Sequence, residues 1–428
     1  GIVSPIGVGV SGFWDNCLKG EISVDHIPEE WSKYYNYNST LWAPLPDIDF
    51  KNFEISRVEM MQLDMSQLIS LASAQMALQD ASISYSITDE KKNTYTIDGI
   101  ATSGFGVYMG TGIGGVKSLV SDFSNHVIAP TKAKVAKEIL DDIKIARRYN
   151  PFAVAMTMPN ACSARIGIKY GLHGPNNTFA SACSSGTVSI GHALRAIRSG
   201  AVNVALTGGV EYLSDDYGGI FRGFDVAGAL VQRCDDPETA NRPFDQNRSG
   251  FLFAEGGGAI LVVEELSHAL ERGARIYAEV TGFAETFDAY SIMSVAEDGV
   301  QVKRMIATAL EEAGLEPSSI DYINTHGTGT VLNDVTECSV IDQTFRKDAL
   351  VNATKSLTGH AIGGSGAIEA SVTALSLYNG TTHVCKNLSN PVGDLNFVTS
   401  VSDFAIRRAV TQSFAFGGHN AVLVLEQY

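Results

Sequence analysis

The stretch CSSGTVSIGHALRAIRSG, residues 183–200, has a counterpart in GGSGAIEASVTALSLYNG, residues 363–380: in each, a glycine-serine turn opens a helix of small and apolar residues. A second pair follows in the same order, SGFLFAEGGGAILVVEE at 249–265 and TQSFAFGGHNAVLVLEQ at 411–427, each with an aromatic strand, a glycine turn and a buried apolar strand. Glycine turns beside apolar strands are common singly. Two matched pairs in one order predict a duplicated α/β unit, and a repeat of that kind governs the whole fold. Strand-like runs alternate with helical ones along the rest of the chain. GVYMGTGIGG (106–115) reads as a strand entering a glycine turn, NVALTGGVEY (203–212) as a buried strand, and VEMMQLDMSQLISLASAQMALQDA (58–81) as helix. The glycines of 106–115 are a weak dinucleotide signal, because no acidic residue follows at the required distance.

The 428 residues suffice for two core-bearing units, and a chain 45% hydrophobic and 18% charged reads as a well-buried globular protein. Thirty-one basic against 47 acidic side chains give a formal net charge of −16, which argues against nucleic-acid binding. The six cysteines, Cys17, Cys162, Cys183, Cys234, Cys338 and Cys385, show no metal-ligand spacing. They predict a reducing, cytoplasmic setting and no structural zinc. No run approaches the roughly 18 apolar residues of a membrane span, and no signal peptide is visible. Against this acidic background KAKVAKEILDDIKIARR, 132–148, carries six basic and three acidic residues and an apolar stripe of Val135, Ile139, Leu140 and Ile143. It reads either as a protein-contact surface or as a solvated cap.

Cys183 sits among Ala182, Ser184, Ser185 and Gly186 just before a helical pattern. A buried packing cysteine is one reading; a nucleophile whose thiolate the helix N-terminus favours is the other. INTHGTGTVLNDVTE (323–337) places His326 after a strand, NATKSLTGHAIGGSGAIE (352–369) holds Lys355, His360 and Glu369, and SFAFGGHNA (413–421) is a tight turn after Phe416. Each alone is most simply structural. Together they put a thiol and two imidazoles at the carboxyl ends of strands, where α/β proteins place their sites. A cysteine protease would leave the second histidine and the lysine surplus. Two imidazole donors suit the oxygen of a thioester enolate.

In PNNTFASACSSG, RPFDQNRSGFLFAEGGG, NTHGTGTVLND, KSLTGHAIGGSGAIE and SFAFGGHNA, taken in that order, the chain resembles the β-ketoacyl-acyl carrier protein synthases of the thiolase superfamily, of the elongating Cys-His-His kind. The resemblance implies a thiolase-like α/β fold of five layers, α-β-α-β-α, from two duplicated halves. It divides the chain into 1–265, with the nucleophile and a basic helix inserted at about 128–150, and 266–428, with the His/Lys/His set. It implies that Cys183 takes an acyl chain and that His326 and His360 bind the malonyl thioester oxygen. Lys355, held by Glu369, supports the site, and the N–H groups of Cys183 and Phe416 form an oxyanion hole. Thr328 and Thr330 contact the phosphopantetheine arm, Ile113 contacts substrate, the Phe416 ring gates the acyl pocket, and Asp334 and Glu337 stand behind the site. No cofactor or metal is implied; substrates ride on an acyl carrier protein. The resemblance implies a homodimer, or a heterodimer with a chain-length-factor-like subunit. A polyketide or polyene ketosynthase, a non-catalytic chain-length-factor-like subunit and a thiolase are the rival readings. The chain departs from the family pattern at Ala415, at Gly228, where a basic residue is common, and in the length of 116–160.

Overall fold

The computed structural model describes all residues except 34, 132–149, 233 and 235, so the basic segment 132–148 and most of the insert at 128–150 lie outside the described residues. Two six-stranded sheets dominate. The first contains β1 (Ile2–Ser4), β2 (Gly7–Val8), β3 (Phe105–Gly110), β4 (Asn176–Phe179), β5 (Val204–Tyr212) and β6 (Gly256–Glu264), in the spatial order β2-β1-β6-β5-β3-β4. The second contains β7 (Glu279–Phe287), β8 (Tyr322–Asn324), β9 (Leu350–Asn352), β10 (Asn396–Phe397), β11 (Arg408–Ala415) and β12 (His419–Glu426), in the order β7-β12-β11-β8-β9-β10.

Apart from one edge strand in each, the sheets repeat strand for strand. β1-β6-β5-β3-β4 corresponds to β7-β12-β11-β8-β9, with the first three antiparallel to one another in sequence and the last three parallel in both sheets. The helices repeat as well. α1 (Met65–Asp80) packs on the first sheet and α3 (Val300–Ala313) on the second. Between the sheets lie α2 (Ser185–Arg198) and α5 (Ser365–Asn379), which touch both sheets and each other. α4 (Val331–Thr344) follows β8. The result is the five-layered thiolase-like arrangement.

The physical reasons are local. β5 is buried along its entire length, and such fully covered strands read as continuous apolar runs. α5 is buried on nearly every side, as a helix between two sheets must be. The helical spacing of 58–81 resolves into two helices, Arg57–Gln62 and α1, because Asp64 leaves the helical conformation and caps α1 by accepting from Ser66 N. One part of the sequence repeat is also corrected. β6 and β12 match as read, but the aromatic residues before β6 form the short strand Phe253–Ala254, which joins a separate small sheet with Leu41–Ala43 and Asp25–His26. The true partner of β6 is β5.

Candidate active site

Cys183 lies in the 3₁₀ turn Ala182–Ser184 that leads into α2, and His360 lies just before the equivalent turn Ile362–Gly364 that leads into α5. Both turns open on a non-glycine residue with positive φ, Ala182 at 48° and Ile362 at 44°. Residues seldom adopt this conformation, and such strain gathers where side chains are held for use. In each turn a serine hydroxyl at the helix start accepts a backbone N–H from four residues earlier: Ser181 N to Ser185 Oγ at 2.9 Å and Ala361 N to Ser365 Oγ at 3.0 Å.

These turns bring Cys183 Sγ within 3.0 Å of His360 Nε2. The other ring nitrogen, Nδ1, is 2.9 Å from Ser365 Oγ. A hydroxyl can donate or accept, so Ser365 supports either tautomer of His360. His326 is held differently. Its Nδ1 is 3.2 Å from Lys355 Nζ, which also donates to His326 O at 2.7 Å and to Glu369 Oε1 at 2.5 Å. An ammonium has no acceptor to offer. Nδ1 of His326 therefore accepts, and the neutral ring carries its proton on Nε2. His326 and His360 stand edge to face, centroids 5.5 Å apart.

All six side chains are buried. Burial, aided by the Lys355 charge, holds both imidazoles well below their usual range, so both are neutral. Burial pushes the Cys183 thiol up to about 11, against the opposing pull of Lys355 and of the Phe416 and Cys183 backbone N–H groups. Desolvation thus opposes the thiolate that the helix start and the Lys355 charge favour. The carboxyl of Glu369 is pushed up to about 7 by burial, with Lys355 opposing.

The loop carrying His326 is pinned from behind. Glu337 accepts from His326 N at 2.7 Å and Gly327 N at 2.8 Å, and Asp334 accepts from Gly329 N at 3.1 Å and Phe244 N at 2.7 Å. Thr328 Oγ1 and Thr330 Oγ1 are 2.9 Å apart on this loop. Phe416 follows the end of β11, packs on the cluster that includes Cys183, and is followed by Gly417, whose N–H donates to Ile292 O at 2.8 Å. Ile113 is the outlier: it is 41% exposed on a loop whose amides are bound by buried Glu211. Sequence reading missed Glu211 and Ser365; a glutamate inside the apolar run of 203–212 was the available signal for the first.

The donor atoms of Cys183, His326 and His360 lie within 4.8 Å of one another, close enough to share a metal. The Lys355 ammonium against the His326 ring opposes a cation there. Among the described residues no helix is long and apolar enough to cross a membrane.

Fold and site together define a thiolase-like protein built around one cysteine and two histidines. The chain belongs to the beta-ketoacyl synthase family: the family's N-terminal domain matches residues 1–269 and its C-terminal domain residues 277–389. It is 35% identical over 434 residues to 3-oxoacyl-[acyl-carrier-protein] synthase 2 of Synechocystis sp., covering 100% of this chain and 96% of that one. The enzyme of the same name from Staphylococcus aureus strain COL is 35% identical over 436 residues, covering 100% and 97%. Among solved structures, the ishigamide ketosynthase/chain length factor superposes with a TM-score of 0.84 at 28% identity, covering 100% of this chain and 97% of that one. A type II polyketide ketosynthase bound to its acyl-carrier protein, AntDE:AntF, gives 0.79 at 26%, with coverage of 100% and 97%.

Proposed function

We propose that this chain is a 3-oxoacyl-[acyl-carrier-protein] synthase, an acyltransferase that joins a malonyl unit to an acyl chain on Cys183 by decarboxylative Claisen condensation. The observation that carries this reading is the 3.0 Å approach of His360 Nε2 to a sulfur that also faces the N–H groups of Cys183 and Phe416. Cys183 attacks the thioester carbonyl of an acyl-carrier protein. Its proton passes to His360 Nε2 and on to the departing carrier thiolate, and the two N–H groups take the oxyanion. Malonyl-carrier protein then enters between His326 and His360. Its carboxylate leaves as carbon dioxide, and the freed electron pair forms an enolate whose oxygen accepts from the Nε2–H of His326 and, once the His360 proton has moved from Nδ1 to Nε2 with Ser365 Oγ donating to the vacated Nδ1, from that of His360. The carbon attacks the acyl carbonyl, the new C–C bond forms, the bond to sulfur breaks, and the Cys183 thiolate takes a proton from solvent.

In this reading Thr328 and Thr330 meet the phosphopantetheine arm, Phe416 gates the acyl pocket, and Ile113 meets the acyl chain. The two halves meet near residue 265, the working unit is a dimer in the cytoplasm, and no bound cofactor takes part. None of the six cysteines is joined in a disulfide, in keeping with a reducing compartment. A second reading, a ketosynthase subunit of a type II polyketide or polyene pathway with a chain-length-factor partner, is favoured by the similarity to the two solved ketosynthases. The test is mass spectrometry of carrier-bound products with malonyl-carrier protein and primers of several lengths. Wild type forms an acyl-enzyme and releases carbon dioxide; Cys183→Ala forms no acyl-enzyme. His326→Ala loses about 10²–10³ in decarboxylation, the usual cost of one such donor, while retaining most of its acylation; His360→Ala loses both. An acyl-enzyme in Cys183→Ala, or full decarboxylation in either histidine variant, overturns the assignment.

A further inference from the structure

The side chains beside Cys183 are mostly aromatic, and they come from three separate parts of the chain. Phe251 meets the His360 ring edge to face at 5.2 Å. Phe224, on the helix Gly219–Val226, stands 5.6 Å from Phe251 and 6.2 Å from Phe416. Neither position is fixed by the large sheets. That helix is held by Asp215, which accepts from Gly219 N and Ile220 N, and by residues 25–33 and 35–43, whose contact with it is polar as well as apolar.

Asp225, on the same helix and 4% exposed, accepts from Asn38 N at 3.0 Å through one oxygen and from Ser39 N at 2.7 Å through the other. At the helix's other end the Tyr37 hydroxyl donates to Gly218 O at 3.2 Å, and the Tyr37 ring packs against Phe221 at 5.5 Å. Trp31 closes the same side, 5.8 Å from Phe221. Gly218 makes room for this clasp: with φ 69°, a Cβ there would stand 2.6 Å from both the Trp31 ring and the Tyr37 hydroxyl. The segment then continues as strand Leu41–Ala43, which pairs with Phe253–Ala254, and Phe253 in turn bridges to His360, with Ala254 N donating to His360 O at 3.2 Å. One strap is therefore bonded at one end to the helix carrying Phe224 and at the other, through a single strand, to the backbone of His360.

We propose that this strap sets which acyl chains Cys183 accepts, with Asp225 as the positioning residue: by bonding two consecutive amides it fixes how closely Phe224 approaches Phe416, and so the width of the acyl channel. Asp225 touches no reacting atom. The proposal rests on the condensing activity proposed above. A carboxylate accepting two N–H groups is matched to that task; an amide offers one oxygen and turns its NH₂ against the other N–H. Asp225→Asn therefore loosens the strap without removing a catalytic group, and Tyr37→Phe removes the bond to Gly218.

The experiment measures kcat/KM for acyl-carrier-protein primers of short and long chain, together with acylation of Cys183 by intact mass. Wild type is loaded first; if it is not, the proposed function itself fails, and the strap proposal with it. Given a loaded wild type, both variants lower the ratio between the preferred and the poorer primer at least threefold, while the rate on the poorer primer holds or rises. A uniform fall on every primer, or an unchanged ratio, overturns the strap proposal and leaves the condensing activity standing. Should Asp225→Asn not fold, Tyr37→Phe decides the matter by the same ratio.

Discussion

Lys355 does two jobs that can be separated by substitution. It neutralises Glu369 in a site where their side chains are 2% and 1% exposed, and it fixes the His326 tautomer by donating to Nδ1. Removing one member of such a buried pair costs about 3–5 kcal/mol, because the other charge is stranded. Lys355→Met is thus expected to destabilise the fold by that order. The penalty should grow from pH 6 to pH 8: a protonated Glu369 tolerates isolation and an ionised one does not, so ionisation favours the unfolded state. Combining Lys355→Met with Glu369→Leu should recover most of the stability in urea unfolding and none of the malonyl decarboxylation. Parallel recovery of both would show that Lys355 serves only the fold. Cys183, His326 and His360 of the proposed catalytic set stood out in the sequence because each lies beside a glycine-containing turn. The tautomer was not legible, because it depends on which nitrogen faces an ammonium from 29 residues away.

Between elements, His383 ties β9 and the Lys355 turn to the end of α5. Its Nδ1 donates to Val384 O at 2.9 Å, so its Nε2 accepts from the Thr354 hydroxyl at 3.1 Å, and its own carbonyl accepts from Asn352 Nδ2 at 2.5 Å. Both ring nitrogens are committed to the neutral form, and burial lowers the ring from 6.5 to about 4. The unfolded chain therefore takes up this proton first. The stability His383 lends is complete above about 6.5 and is lost as pH falls towards 4, a contribution of about 3 kcal/mol at 1.4 kcal/mol per unit. Urea midpoints for wild type should fall more steeply than those of His383→Gln between pH 6.5 and 4.5; parallel slopes would remove His383 from the acid response. At this scale the sequence was readable where one residue type dictates the outcome, as at the glycine turn that ends β3 or at the start of α2. It was not readable where a side chain's remote partner decides. Asp64 interrupts the helical run of 58–81 by capping α1 and also binds Ser118, 54 residues on.

Over the whole molecule, the strand order could be anticipated only as a repeat. The matching of α2 with α5 and β6 with β12 was visible in small residues and glycines, whereas the pairing of Phe253 with Trp42 joins segments some two hundred residues apart and leaves no local mark. Charge belongs to this scale too. A chain at −16 repels an acidic carrier at long range unless a local positive patch offsets it. The basic stretch 132–148 is the densest such patch in the sequence. Lys134→Glu, Lys137→Glu and Arg148→Glu together are expected to raise the apparent KM for acyl-carrier protein several-fold at low salt. The gap should close as ionic strength rises past 0.1 M, where the screening length is about 10 Å. An unchanged KM with acyl loading intact would leave the stretch as a solvated cap.

The twin turns before α2 and α5 also speak to descent. Their shared positive φ and serine bonds mark them as two copies of one ancestral device, yet their middle residues have parted: Cys183 in one, Gly363 in the other. The loss cannot be undone at that place. A Cβ on Gly363 would stand 2.4 Å from Gly112 N and 2.5 Å from Glu211 Oε2, atoms that have closed over the position. One turn carries a side chain at this position, and the other a glycine over which the backbone closes. The fused pair is thereby committed to a single reactive centre per chain, served by both of its inherited halves.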